Sequence, residues 1–93
     1  MALEFEWDAG KAAENIRKHG VSFEEALSVF TDILSMTIPD PDHSNQESRW
    51  LQLGMSGRGR LLVISFTERD GHLRIISARV ATRGERHNYE EGR

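Results

Sequence analysis

No cysteine occurs in this 93-residue chain, so neither a disulfide nor a thiolate zinc site enters its chemistry. That excludes a disulfide-stapled secreted mini-protein and fits a reducing, cytoplasmic setting. Long apolar runs are missing as well. The longest unbroken one is Leu61 to Ile64, against the ~20 residues that cross a bilayer, so no membrane span is expected. Glu4, Glu6 and Asp8 stand where a signal peptide would be basic and then apolar. Proline is confined to Pro39-Asp40-Pro41-Asp42, a turn-rich loop. There is no glycine-rich phosphate loop and no nucleotide fingerprint; Ser56-Gly57-Arg58-Gly59 reads as a hairpin loop. No repeat, linker or low-complexity segment divides the chain, and its length suits one domain over residues 1–93.

What is present is an uneven charge. The net value is −3, but residues 1–46 hold three basic and nine acidic side chains, while residues 47–93 hold nine basic and six acidic. All nine of those basic residues are arginine, whose planar fork suits phosphate oxygens better than lysine does. Charge alone leaves two readings open: a solvated surface of ordinary ion pairs, or a surface for a polyanion.

Local signals predict the elements. Glu4 to Trp7 reads as a short strand. Asp8 then caps a helix, with Trp7 able to staple onto Ala12, and Gly20 closes it after His19. Ser22 and Glu25 form a capping box for a second helix, whose Phe23, Ala26, Leu27 and Phe30 recur at helical spacing. Residues 34–38, 48–55, 60–68 and 73–80 read as strands. Asp70-Gly71 marks a two-residue hairpin between the last two, with a register that sets Phe66 opposite Ile75, Ile64 opposite Ser77 and Leu62 opposite Arg79. Both faces of this pair are apolar, so helices cover both or a partner covers one. Residues 82–91 form the last helix. The class is α+β: a small antiparallel sheet of three to four main strands, two N-terminal helices and one C-terminal helix.

The chemistry concentrates in RIISARVATRGER, residues 74–86. Thr82 to Glu85 is a second capping box. A helix start offers unpaired N–H groups and positive potential, and Arg79, Arg83 and Arg86 surround it. Either they converge on a phosphate, or Arg79 pairs with a carboxylate and the others are solvated. Arg58 and Arg60 would extend a basic groove. Trp50 and Tyr89 are candidate stacking platforms, Trp50 also being a natural core residue. His19 suits a helix end and His72 a hairpin turn. Asp40, Asp42 and His43 match no metal-site spacing, and Ser65 and Ser77 have no assignable His or Asp partner.

Phe5-Glu6-Trp7-Asp8, Lys11, Asn15, Lys18-His19-Gly20-Val21-Ser22-Phe23, Glu25-Ala26 and Phe30 resemble the front half of the BrnT family. Arg74-Ile75-Ile76-Ser77-Ala78-Arg79, Ala81-Thr82 and Glu85 resemble its closing signature, with Arg49 and Gly54 between. The resemblance spans nearly the whole chain. It implies a RelE-like toxin of a type II toxin–antitoxin pair, a ribonuclease that inhibits translation by cutting RNA, without a metal or other cofactor. Its partner would be a BrnA-like antitoxin, a DNA binder that masks the toxin and carries it to operator DNA; a homodimer is the alternative assembly without it. Val80 and Gly84 depart from the family by standing where basic residues are common. A catalytically inactive module that only binds antitoxin and co-regulates the operon is therefore the second reading.

Such RNA cleavage needs a base for the ribose 2′-hydroxyl, donors for the phosphorane and an acid for the leaving 5′-oxygen. Arg79 and Arg83 are assigned the donor role, with Arg58, Arg60, Arg74 and Arg86 as RNA contacts. His43, His87 and Glu47 have suitable chemistry for acid and base, and the sequence alone does not choose among them.

Overall fold

A computed structural model describes residues 4–42 and 48–92. The elements run β1 (Glu4–Glu6), α1 (Ala9–His19), α2 (Phe23–Val29), β2 (Met36–Pro39), β3 (Arg49–Met55), β4 (Leu61–Arg69), β5 (His72–Val80) and α3 (Arg83–Glu91). The α+β class holds. The sheet has five strands among the described residues, in the order β1-β5-β4-β3-β2. It is mixed, because β1 joins β5 in parallel while the other pairs are antiparallel.

The helix boundaries follow their caps. Asp8 accepts the Lys11 N–H at 2.9 Å, and Gly20 ends α1 in the left-handed region at φ 68°, which glycine adopts without steric cost. The Ser22–Glu25 box forms by half. Ser22 Oγ accepts the Glu25 N–H at 3.0 Å, but the Glu25 carboxylate turns away to Arg60 and Ser56. A guanidinium offers it two charge-assisted bonds where the cap offers one neutral N–H.

Alternation along the strands sorts the core into two clusters. Leu62, Ile64, Phe66, Ile75 and Ala78 face α1 and α2, against Val21, Phe23, Ala26 and Val29. Trp7, Phe5, Phe30 and Trp50 flank this cluster, with Trp7 edge-on to Phe23 at 5.8 Å between ring centroids. Trp50 is thus a core residue rather than a platform. On the other face Leu53, Leu61 and Val63 pack with Tyr89 of α3. Tyr89 is 5% exposed and its hydroxyl donates to Asp32 at 2.6 Å, which removes it as a stacking platform.

The hairpin turn is as expected, with Asp70 and Gly71 both at positive φ, 50° and 83°, the mark of a type I′ turn. The register is not. Thr67 pairs with Arg74 and Phe66 with Ile75, but Ser65 then pairs with Ser77, Ile64 with Ala78, Val63 with Arg79 and Leu62 with Val80. Ile76 is the extra residue of a β-bulge. A one-residue slip moves every later side chain to the opposite face. Here it buries Ala78 against α1 and lifts Arg79 from the buried Leu62 row onto the face that carries α3.

Candidate functional site

The bulge has a direct consequence for the arginines. In an unbroken hairpin Arg74 and Arg79 would point to opposite faces. With Ile76 bulged, both lie on the α3 side, where the pairing also puts Arg49 and Arg69, through Arg49 opposite Thr67 and Arg69 opposite His72. Helix α3 packs on this face through Tyr89, against Leu53, Leu61 and Val63, and a groove runs alongside it over β2 and β3.

At the β5–α3 junction the expected capping box is complete. Thr82 Oγ1 accepts the Glu85 N–H at 3.2 Å and Glu85 Oε1 accepts the Thr82 N–H at 2.8 Å. The same carboxylate takes Arg79 in a fork, at 2.7 and 2.8 Å. The hydrogen bonds from Arg79 pull the Glu85 carboxyl down to about 2, helped by the Thr82 N–H, and Glu85 raises the Arg79 guanidinium in return. Arg79 therefore takes the carboxylate partner that the sequence left as one of two readings. Five N–H donors stand on a guanidinium, and the fork uses two. Arg79 is held in one orientation with donors to spare, but with its charge largely balanced.

The expected convergence of Arg79, Arg83 and Arg86 does not occur. Glu85 and Asn88 line the groove and Tyr89 is buried, so α3 turns that side to the sheet. At ~100° per residue Arg83 lies roughly 160° around the helix from Glu85. Arg83, Arg86 and His87 are accordingly exposed. Arg79 and Arg83 stand on opposite sides of the first turn of α3.

The other candidates separate further. Arg60 donates from Nε to Glu25 at 3.0 Å and from a terminal nitrogen to the Gly20 carbonyl at 3.0 Å, which ties the β3–β4 turn to α2. Hydrogen bonding from Arg60 holds the Glu25 carboxyl below the usual range despite burial. Arg58 lies 3.8 Å from Glu25 with its side chain 75% exposed. Arg74 donates to Glu6 at 3.0 Å, and His72 Nδ1 stands 3.0 Å from Glu4. Ser65 and Ser77 pair with each other across the strands. His43 and Glu47 fall outside the described residues.

Sequence reasoning missed three features of the site. The first is Asn15, buried on α1, whose amide donates to the Val21 and Ala78 carbonyls at 2.9 and 2.8 Å and accepts the Ala78 N–H at 3.1 Å. It satisfies β5 beyond the end of β1, immediately before Arg79. Its place among the residues that resemble the BrnT family was the available signal, and it carried no role. The second is Asp32, which accepts the Met55 N–H at 2.8 Å and the Tyr89 hydroxyl at 2.6 Å and so docks α3. The third is an apolar cleft of about 240 Å³ alongside α3, lined by Met36, Ile38, Leu51, Leu53 and Val63 with Glu85 and Asn88 at its rim.

Comparison with known proteins bears on what such a face does. A family model described as "Ribonuclease toxin, BrnT, of type II toxin-antitoxin system" matches residues 7–85. Among solved structures, the 1.1 Å crystal structure of the Brucella abortus ribonuclease toxin BrnT is similar, with a TM-score of 0.64 and 24% identity. The match covers 88% of this chain and 100% of that one. At that identity the likeness supports the fold. No curated protein matches the chain.

Proposed function

Because the chain belongs to the family of BrnT ribonuclease toxins of type II toxin–antitoxin systems, we propose that it inhibits translation by cutting RNA without a metal, and that Arg79 is its principal phosphate contact. The observation that carries this is the Ile76 bulge, which gathers Arg74 and Arg79 onto the face shared with Arg49 and Arg69. A polyanion crossing that face meets arginine from three successive strands. The 2′-hydroxyl would attack the adjacent phosphorus, giving its proton to a general base and forming the O2′–P bond as the P–O5′ bond breaks and the 5′-oxygen leaves as a hydroxyl protonated by a general acid. Negative charge grows on the non-bridging oxygens, and the Arg79 donors left free by Glu85 suit it, oriented before the substrate arrives. Arg83, on the opposite side of the first turn of α3, would contact a flanking phosphate rather than the one at Arg79, with Arg74 holding the backbone and Arg58, Arg60 and Arg86 as outlying contacts. Glu85 is a poor general base, since a carboxyl near 2 lies far from the operating pH. A BrnA-like antitoxin completes the system and links it to operator DNA in the cytoplasm.

The test is cleavage of a long single-stranded RNA in EDTA by the parent chain and by Arg79→Ala/Arg83→Ala, with thermal melts to verify folding. Loss of ~10²–10³ in rate per essential donor is expected. Cleavage that survives the double substitution would sink the assignment. A second reading, an RNA-silent module that retains antitoxin binding, draws on the Glu85 fork, which balances Arg79, and on Val80 and Gly84 in place of basic residues. A Cβ at Gly84 meets no atom within 4 Å and Val80 is exposed, so Val80→Lys/Gly84→Lys fits the fold. Activity gained by that variant over a silent parent would establish this second reading.

A further inference from the structure

The face that carries α3 changes character from β5 to β2. Arg74 and Arg79 stand on β5, while the cleft at the β2 side is apolar. Residues 30–42 contain neither lysine nor arginine; of their acids Asp42 is exposed, Asp40 is buried and Asp32 is bonded to the Met55 N–H and the Tyr89 hydroxyl. The last turn of α3 adds the exposed Glu90 and Glu91 on the helix that bounds the cleft. β2 is an edge strand of the sheet. Its Ile38 is 47% exposed, and Leu34 and Ile33 in the segment before it are 42% and 96% exposed.

From this the geometry points to the cleft between α3 and β2–β3 as the docking site for the antitoxin, which presents a segment with an apolar anchor flanked by basic residues. The inference rests on family membership and is independent of which arginine acts in cleavage. Charge decides the class of occupant. A phosphodiester chain would be repelled by the exposed Asp42, Glu90 and Glu91, while a basic protein segment is drawn to them. The lining agrees, since it contains no aromatic ring on which a base could stack and its walls are aliphatic. A volume of about 240 Å³ suits a single large anchor side chain, the usual centre of an interface. Continuity supplies the inhibitory logic. Glu85, which forms one rim of the cleft, also grips Arg79, and Val63 on the floor is paired with Arg79 across the strands. An antitoxin seated in the cleft abuts the phosphate-binding end and excludes RNA from it.

The experiment uses the purified antitoxin encoded with this chain and three proteins: the parent, Ile38→Asp and Arg74→Ala. Ile38 is half exposed on an edge strand, so its substitution leaves the core intact. Ile38→Asp puts a charged, solvated group where the apolar anchor sits and should weaken antitoxin binding ~30-fold or more, while binding of a single-stranded RNA oligonucleotide stays within twofold or so of the parent. Arg74→Ala should do the reverse. In the unaltered chain, antitoxin should slow amide hydrogen exchange at Met36, Thr37 and Ile38 and at Leu51–Leu53, a readout that needs no variant to fold. Three results would overturn the proposal. One is antitoxin binding by Ile38→Asp at parental strength with no protection of β2. Another is loss of RNA rather than antitoxin binding, which would make the cleft a nucleobase subsite. The third is a parent dimer in sedimentation that Ile38→Asp dissolves with antitoxin affinity unchanged, which would make the cleft a contact between copies of the chain.

Discussion

Replacing Asn15 by alanine should be among the most damaging single changes in the molecule, although Asn15 touches no candidate substrate contact. Its side chain is 5% exposed and makes three hydrogen bonds: two donated, to Val21 O and Ala78 O, and one accepted, from Ala78 N. The amide acts as a substitute peptide group, occupying the edge of β5 where β1 has already ended. Truncation orphans two carbonyls and one N–H. A buried unsatisfied group costs about 1–3 kcal/mol, and water reaching part of the edge reduces the total, so Asn15→Ala should lose about 3 kcal/mol. For a chain of this length that is a drop in Tm of about 12–24 °C. Urea and thermal unfolding followed by circular dichroism would measure it. Asn15→Leu separates hydrogen bonding from cavity formation: it refills the space and should be as destabilised as alanine. Asn15→Asp keeps an acceptor for Ala78 N but sets an anionic oxygen against two carbonyls. That carboxyl would have a raised pKa in the fold, so its stability should be lowest at neutral pH and recover as pH falls and the group protonates. Should the alanine and leucine variants both melt within about 1 kcal/mol of the parent, the clamp is dispensable and the account of the β5 edge is wrong.

Three further outcomes follow from the packing and the ion pairs. Gly54→Ala would bring a Cβ to 2.7 Å from Ser35 Cβ and 3.0 Å from Val29 Cγ1, an overpacking cost of about 1–3 kcal/mol, visible as a lower urea midpoint at unchanged slope. Glu85 titrates near 2 in the fold against an ordinary 4.5. Its pair and cap should therefore stabilise fully above about pH 4.5 and fade as pH falls toward 2. Partial exposure limits the effect to about 1 kcal/mol, and the parent's advantage over Glu85→Gln should be full at pH 7, much reduced at pH 2 and gone below it; an advantage undiminished at pH 2 would refute the pairing. Around Glu25, Arg60→Met should destabilise more than Glu25→Gln. The first strands a carboxylate whose side chain is 3% exposed, whereas the second frees a guanidinium with 34% exposure and water within reach. Equal or reversed melting temperatures would contradict that order.

The parts of the fold that local chemistry determines were legible in the sequence. Asp8, Gly20 and Thr82 announce helix ends because a cap is a bond between residues three or four apart. Asp70-Gly71 announces its turn because only certain residues accept two positive φ values in succession. The Ser22–Glu25 box shows the limit. Its local half formed, but the carboxylate was claimed by Arg60, thirty-five residues away, and no neighbouring residue signals that competition. β1 was visible as a strand, but its parallel seat on β5 is a tertiary fact.

The Ile76 bulge was the costliest feature to miss, and it determines the site. Counting outward from a turn assumes that the pairing never slips, and nothing in Ile75-Ile76-Ser77 breaks the pattern of a strand. The reason for the slip lies across the molecule. Without it Ser77 would take the place of Ala78 opposite Ile64, a position where both residues are fully buried, and Arg79 would move to the half-exposed place of Val80, away from Glu85. A hydroxyl buried there without a partner is costly. Ala78, small, apolar and clamped by Asn15, fills the position instead. The core therefore selects Ala78 over Ser77, the bulge accommodates the selection, and the arginine emerges on the face of Arg74 with α3 and Glu85 beside it. The bulge is thus enforced by burial rather than by the turn. Ser77→Ala, which lets either residue fit beside Ile64, is the substitution that makes the unbroken register competitive, and cross-strand nuclear Overhauser contacts between residues 64 and 77 would reveal the change.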